Sequence, residues 1–329
     1  MSALYNALVI DMGGTNIRLG LLEENQLRPT YVRSYEISAF PGLADVISLF
    51  LQEAPPHRLK EAAIDVATPV IGDLIKLTNY DWSFSIAGIR EQFGFQRLKV
   101  INDFTALALS IPLIGADELQ QVGGGKADPD GAIALLGAGT GLGVSGLIRS
   151  AAGWYPLSGE GGHVTLGARN ARELAIFAAF WQTYGHMSAE RLLSGTGLEE
   201  FYQVICQLDG KVAEALQPQD ISARAIAGSC PACMETMSLF CEWLGVVAAN
   251  LALSLGATGG VYIGGGIVPK LGDYFVNSRF REAFETKGRF RQYMQAVPVY
   301  IIHADNPALR GAAASLDARF EKLGISCRG

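Results

Sequence analysis

No stretch of the chain gathers positive charge. Its 26 basic and 32 acidic residues give a net charge of −6 and are scattered along 329 residues. Nucleic acid and anionic membrane surfaces recruit basic patches, so neither is an expected partner. Cysteine is scarce as well: five residues, an odd number in a long chain, which fits free thiols in a reducing cytoplasm and not a disulfide framework. Cys230-Pro231-Ala232-Cys233 has the spacing of a redox pair or half a zinc site. No second C-x-x-C or close histidine pair completes a tetrahedral set, so helix-start packing is the preferred reading. No G-x-x-x-x-G-K-S/T run is present, which excludes a P-loop. No charged segment followed by a long apolar core precedes the first apolar run, which argues against a cleaved secretory signal.

One long uncharged stretch runs from Trp243 to Pro269 and meets the length criterion for a membrane span. It contains Asn250, Ser254, Thr258 and Gly264-Gly265-Gly266. It reads instead as a buried helix, a glycine turn and a buried strand.

Hydrophobic residues make up 49% of the chain and charged residues 18%, a globular composition with length enough for two domains. The organising stretch is Ile10-Asp11-Met12-Gly13-Gly14-Thr15-Asn16. Ala7-Leu8-Val9-Ile10 before it is an apolar run of a buried strand, and Ile17, Leu19 and Leu21 after it alternate as a second strand. The connection is too short for a crossover helix and predicts a hairpin. Its glycines can take positive φ and leave N–H groups open to a phosphate. Asp11 places a carboxylate at a strand end, where hydrated magnesium can be held.

Strands are expected over 31–37, 62–67, 74–78, 98–101, 261–263 and 297–302. Helices are expected over 42–53, 85–93, 104–110, 171–184, 196–209, 220–228, 234–256 and 308–323, the last with Leu309, Leu316, Phe320 and Leu323 on one side. Strands in series followed by strands alternating with helices indicate mixed α/β architecture. Pro112 marks a boundary. Residues 132–144 repeat the opening pattern of apolar strand, glycine turn and apolar strand. Laid over residues 7–19, they put Gly139-Thr140 on Gly14-Thr15 and Leu136 on Asp11. Only the first turn then has an acid at the metal-facing position. The second would hold phosphate through N–H and hydroxyl donors, the two turns facing one ligand across a cleft. Gly137 to Gly143 departs from G-x-G-x-x-G spacing, which weakens a dinucleotide reading.

Five motifs occur in order: Asp11-Met12-Gly13-Gly14-Thr15-Asn16, Ile101-Asn102-Asp103-Phe104-Thr105-Ala106, Gly137 to Gly143, Gly159-Glu160-Gly161-Gly162-His163, and Gly264-Gly265-Gly266-Ile267-Val268-Pro269. Together they resemble the bacterial glucokinase family of the actin-like ATPase (sugar kinase) superfamily, from residue 7 to about 311. The resemblance implies two actin-like (ribonuclease H-like) α/β domains flanking a cleft, with mixed sheets and helices packed on them. The small domain would comprise residues 1–111 plus about 304–329, and the large one 112–303. It further implies ATP-dependent phosphorylation of glucose at the 6-hydroxyl with magnesium, at the entry to glycolysis, by a cytoplasmic homodimer.

Carried over residue by residue, Asn102, Asp103, Glu160, His163 and Glu190 match the family's glucose-binding positions. Asp103 is the expected general base. Glu190 rests on the pattern His-x-Ser-Ala-Glu-Arg at 186–191. On the nucleotide side stand Asp11, Gly13, Gly14, Thr15 and Asn16, with Gly139 and Thr140 opposite. Gly265 and Gly266 would lie beside the adenosine, and Asp11 would act on magnesium through water. His163 is followed by Val164-Thr165-Leu166-Gly167 with no cysteine nearby. That departs from the zinc motif of the related repressor–kinase group and favours the plain glucokinase group. A kinase for another hexose or an N-acetylated amino sugar, and a sugar sensor without catalysis, are the competing readings.

Overall fold

The computed structural model describes residues 5–77, 81–151 and 153–317. In chain order the elements are β1 (Tyr5–Met12), β2 (Asn16–Glu23), β3 (Tyr31–Glu36), α1 (Leu43–Glu53), β4 (His57–Val66), β5 (Leu74–Lys76), β6 (Ser83–Ser85), α2 (Ile86–Gln92), β7 (Arg97–Asn102) and α3 (Asp103–Ser110). There follow β8 (Leu119–Gln121), β9 (Ile133–Ala138), β10 (Leu142–Ser150), β11 (Gly153–Gly159), α4 (Ala171–Tyr184), α5 (Gly195–Leu208), α6 (Pro218–Ile226) and α7 (Pro231–Leu255). The remainder are β12 (Gly260–Gly264), α8 (Val268–Leu271), α9 (Asp273–Val276), α10 (Phe280–Glu285), α11 (Arg291–Ala296), β13 (Val299–Ile302) and α12 (Pro307–Leu316). The chain divides into two compact units, residues 1–116 with 147–158 and 304–329, and residues 117–146 with 159–303.

The first unit is built on a five-stranded sheet of order β3-β2-β1-β4-β7. β1 pairs antiparallel with β2 and parallel with β4, so it is the central strand. That is why Ala7 to Met12 are all buried, and apolar but for Asp11: both faces are covered. One face packs on α1 through Leu43, Val46, Ile47 and Phe50. The other packs on α12, where Leu309, Ala312, Ala313 and Leu316 meet Ala7, Val9, Leu22 and Ala63. A Cβ on Gly311 would run into the Ala106 carbonyl, so glycine is what lets α12 approach α3. The sequence predicts this helix to Leu323; it ends at Leu316, with Asp317 already extended, and Phe320 and Leu323 lie outside the described residues.

The second large sheet has the order β11-β10-β9-β12-β13-β8, with β9, β12 and β13 parallel and β8 antiparallel at the edge. α7 is long and apolar enough to cross a membrane by length and composition. It lies in the core of the second unit instead, with Met237, Phe240, Trp243 and Leu244 buried and Trp243 5.1 Å from the Phe177 ring. Cys230 is its N-cap: Sγ accepts from the Cys233 N–H at 3.2 Å, and Pro231 opens the helix where no N–H is needed. The C-x-x-C motif is therefore a helix start. Gly256 ends the helix in the left-handed conformation at φ 61°.

Three departures from the sequence reading have physical reasons. Residues 268–296, for which no element is expected, hold α8 to α11, because six-residue or shorter helices show little periodicity. β5 and β6 form a separate two-stranded hairpin, and its first strand stops at Lys76; Thr78 lies outside the described residues. β8 and β11 also go unpredicted, the first being only three residues long and the second carrying Pro156 and two glycines.

Candidate active site

Parallel register brings three acids of the first unit to one end of its sheet. Asp11 on β1 stands opposite Asp65 on β4, and Val66 stands opposite Asn102 at the end of β7, with Asp103 next. Asp11 is 8% exposed and accepts from Arg18 Nη1 at 2.9 Å. Arg18 is its antiparallel partner on β2. Asp65 is fully buried, and neither carboxyl oxygen has a hydrogen-bond partner. Burial first, and then the charges of Asp11 and Asp103, push its pKa well above the usual carboxylate range. Asp65 thus holds its proton more tightly than an ordinary carboxyl.

Asn102 caps α3, its Oδ1 accepting from Phe104 N at 2.9 Å and Thr105 N at 3.2 Å. The capping function therefore falls to Asn102, while Asp103 is the first helical residue, half-buried, with Oδ1 accepting from Phe104 N at 2.8 Å. The preceding hairpin closes with the Gly13 N–H donating to Asn16 O at 3.0 Å. Thr15 at its tip is exposed and Gly14 and Asn16 are half-buried.

In the second unit three segments meet. The turn between β9 and β10 closes through Gly139 N–H to Gly141 O, and the Gly139 carbonyl accepts from Gly195 N–H, both at 2.8 Å. Ser194 caps α5 there, accepting from Gly197 N. Beneath this turn, Gly161 and Gly162 pack so tightly against Val144 and Leu142 that no side chain fits. The 159–166 segment is then zipped to the 186–191 segment. Leu166 N–H donates to Met187 O at 2.9 Å and Ala189 N–H to Val164 O at 3.0 Å, around a bridge from Thr165 to Ser188. This brings His163 Nδ1 to 3.9 Å from Glu190 Oε1. Glu190 Oε2 accepts from Leu142 N–H at 2.9 Å. Glu160, His163, Glu190 and the glycine turn are therefore one cluster, with the Glu160, His163 and Thr140 side chains exposed.

The glycines divide into two kinds. Gly265 (φ 78°) lies against the Ala138 carbonyl and Gly137 against Gly264, so their missing side chains let β9 and β12 finish close together. Gly139 and Gly266 have open space where a side chain would go, room for a ligand to approach backbone N–H groups. Neither Gly13 nor Gly139 adopts the positive φ that the sequence allows them; of the candidate site glycines described, Gly265 does.

Arg18, Asp65, Gly141 and the start of α5 escape the sequence reading. Hairpin register would have found Arg18: with Met12 paired to Ile17 across the four residues 13–16, Asp11 falls against it. Asp65 had a signal too, a charge inside the apolar run Ala62 to Val66. Ser194-Gly195-Thr196-Gly197 had another, a cap residue with glycines before an amphipathic helix. Among the described residues no group of three or more His, Cys, Asp and Glu side chains is arranged to hold a metal ion. Asp11 alone suits a cation that keeps most of its water and is held chiefly by phosphate, as magnesium is.

The sheet orders, the paired glycine hairpins and the acids at the strand ends define an actin-like sugar kinase fold. A solved ROK family glucokinase from Streptomyces griseus, in complex with glucose and AMPPNP, shares that fold (TM-score 0.60, 19% identity, 94% of this chain and 98% of that one). A glucokinase from an Antarctic psychrotroph superposes with a TM-score of 0.85 at 36% identity, over 94% of this chain and 98% of that one. The Glucokinase family model matches residues 8–319, and a glucokinase of Aromatoleum aromaticum is 49% identical over 317 residues, 96% of each chain. The chain belongs to the glucokinase family.

Proposed function

We propose that the protein transfers the γ-phosphoryl group of ATP to the 6-hydroxyl of glucose, giving glucose 6-phosphate and ADP. The observation that carries this reading is the union of Glu160, His163 and Glu190 with an open glycine turn in a chain of the glucokinase family. A sugar needs several donors and acceptors fixed in space, and a site built to pair hydroxyls rejects analogues that lack them. Glu160, His163 and Glu190 hold the ring hydroxyls, and Asn102, held by its cap, orients the sugar. Asp103 takes the proton of the 6-hydroxyl as that oxygen attacks the γ-phosphorus.

Gly13, Gly14, Thr15 and Asn16 contact the β- and γ-phosphates, as do Gly139, whose open face lets them approach, and Thr140 with its hydroxyl donor. Gly266 offers the open approach to the adenosine, and Gly265 sets the backbone beside it. Asp11, paired with Arg18, would hold magnesium through water, and the ion would supply neutralisation of charge developing on the phosphates. The homodimer and the cytoplasmic setting belong to the same proposal, supported by the free thiols and the family.

A coupled assay of ADP release against a panel of sugars tests the reading. Glucose-dependent release, with the highest kcat/KM for glucose, is expected. A higher kcat/KM for mannose or an N-acetylated amino sugar would replace the substrate, and no sugar-dependent release would replace the enzyme with a sensor. Light scattering at assay concentration checks the dimer.

A further inference from the structure

We propose that Gly141 is a positioning residue for the sugar, acting through Glu190 without touching either substrate. The inference rests on the reading of Glu190 as a glucose ligand. The Glu190 carboxylate is committed at one oxygen: Oε2 accepts the Leu142 N–H at 2.9 Å, leaving Oε1 on the His163 side. The peptide that supplies this N–H begins at Gly141. A Cβ on Gly141 would fall inside contact distance of Glu190 Oε2 and press on the carboxyl carbon. The carboxylate therefore occupies the volume that any other residue at 141 would fill.

What yields on substitution is decided by geometry. Gly141 is not in the left-handed region, so alanine meets no backbone strain there. The obstacle is the far end of a flexible, half-buried side chain and not backbone. Gly141→Ala should therefore fold and push the Glu190 carboxylate off Leu142 N–H. Because Gly139 N–H closes on the Gly141 carbonyl, the turn assigned to phosphate also sets the orientation of a sugar ligand.

The test is a cycle of Gly141→Ala, Glu190→Ala and the double variant, with KM for glucose, KM for ATP and kcat measured for each. Gly141→Ala should raise KM for glucose by about tenfold or more, the scale of a misplaced charged hydrogen bond, with KM for ATP within about twofold. In the Glu190→Ala background the same change should add less than about twofold, since the group it displaces is gone. A purely structural role would give equal losses in both backgrounds and would overturn the proposal, as would a rise confined to KM for ATP. If Glu190→Ala weakens glucose and Gly141→Ala does not, only the positioning role falls. If Glu190→Ala leaves KM for glucose unchanged, the reading of Glu190 falls and takes this one with it. A change in circular dichroism or in Tm of Gly141→Ala beyond a few degrees, accompanying its KM shift, counts against positioning.

Discussion

The two glycine hairpins stand on sheets of the same core order, β3-β2-β1-β4-β7 and β11-β10-β9-β12-β13, yet their strand ends are chemically opposite. In the first, Asp11 faces Asp65 across parallel strands. In the second, Leu136, which overlays Asp11, faces Ile263, and Gly137 faces Gly264. The first hairpin thus ends in two carboxyls and an arginine, the second in two apolar side chains and a close backbone approach. One scaffold supports a turn flanked by carboxyls and a turn flanked by apolar side chains, whose donors are backbone and Thr140. The difference comes from two residue choices and not from topology.

Four substitutions probe the comparison. Asp103→Ala, on the acidic side, should lower kcat by about two to four orders of magnitude while glucose still binds, as removal of a general base does. Steady-state kinetics with a glucose fluorescence titration measures both. Asp11→Asn should cost about 10–100-fold in activity at low magnesium, recovering in part as magnesium is raised, in keeping with an outer-sphere ligand. An unchanged magnesium dependence would remove the functional distinction between the hairpins.

Leu136→Ala, at the matching position of the second hairpin, should instead cost about 2–5 kcal/mol of stability. Its magnesium dependence should stay as it is, since Leu136 is fully buried in the core of that unit. Asp65→Asn should have the smallest effect, visible in stability against pH. The folded protein holds the Asp65 proton more tightly than the unfolded chain, whose carboxyl titrates near 3.8. Stability from this group is therefore complete below that pH and is lost as pH rises through the raised folded value. The variant cannot lose it, so its Tm should exceed that of the parent by a margin that grows with pH above 4. A constant margin would mean that burial does not raise the Asp65 pKa.

Much of the architecture was legible because buried central strands and amphipathic helices write their periods directly. β1, β2, α1, α4 and α7 fall where the apolar pattern puts them. The site was legible only in part. Glu190 stands 27 residues beyond His163 and is joined to Glu160 and His163 by the short ladder between Val164–Leu166 and Met187–Ala189, which has no periodic signature. Arg18 and Asp65 reach Asp11 through strand register, a pairing that a single strand does not encode. Gly141 is the extreme case: its contribution is an empty volume, visible only once Glu190 is seen filling it.

The docking of α12 on the first sheet has a consequence for synthesis. Ala7, Val9, Leu22 and Ala63 emerge from the ribosome early, but their cover, Leu309 to Leu316, follows only after the whole of the second unit. At about 5–20 residues per second the intervening segment takes roughly 10–40 s to make. Throughout that interval one apolar face of the nascent sheet is without its native partner, and the second unit is free to fold first. The face of β1 is completed only by α12, so a ribosome stalled between them yields an exposed sheet and a chaperone client.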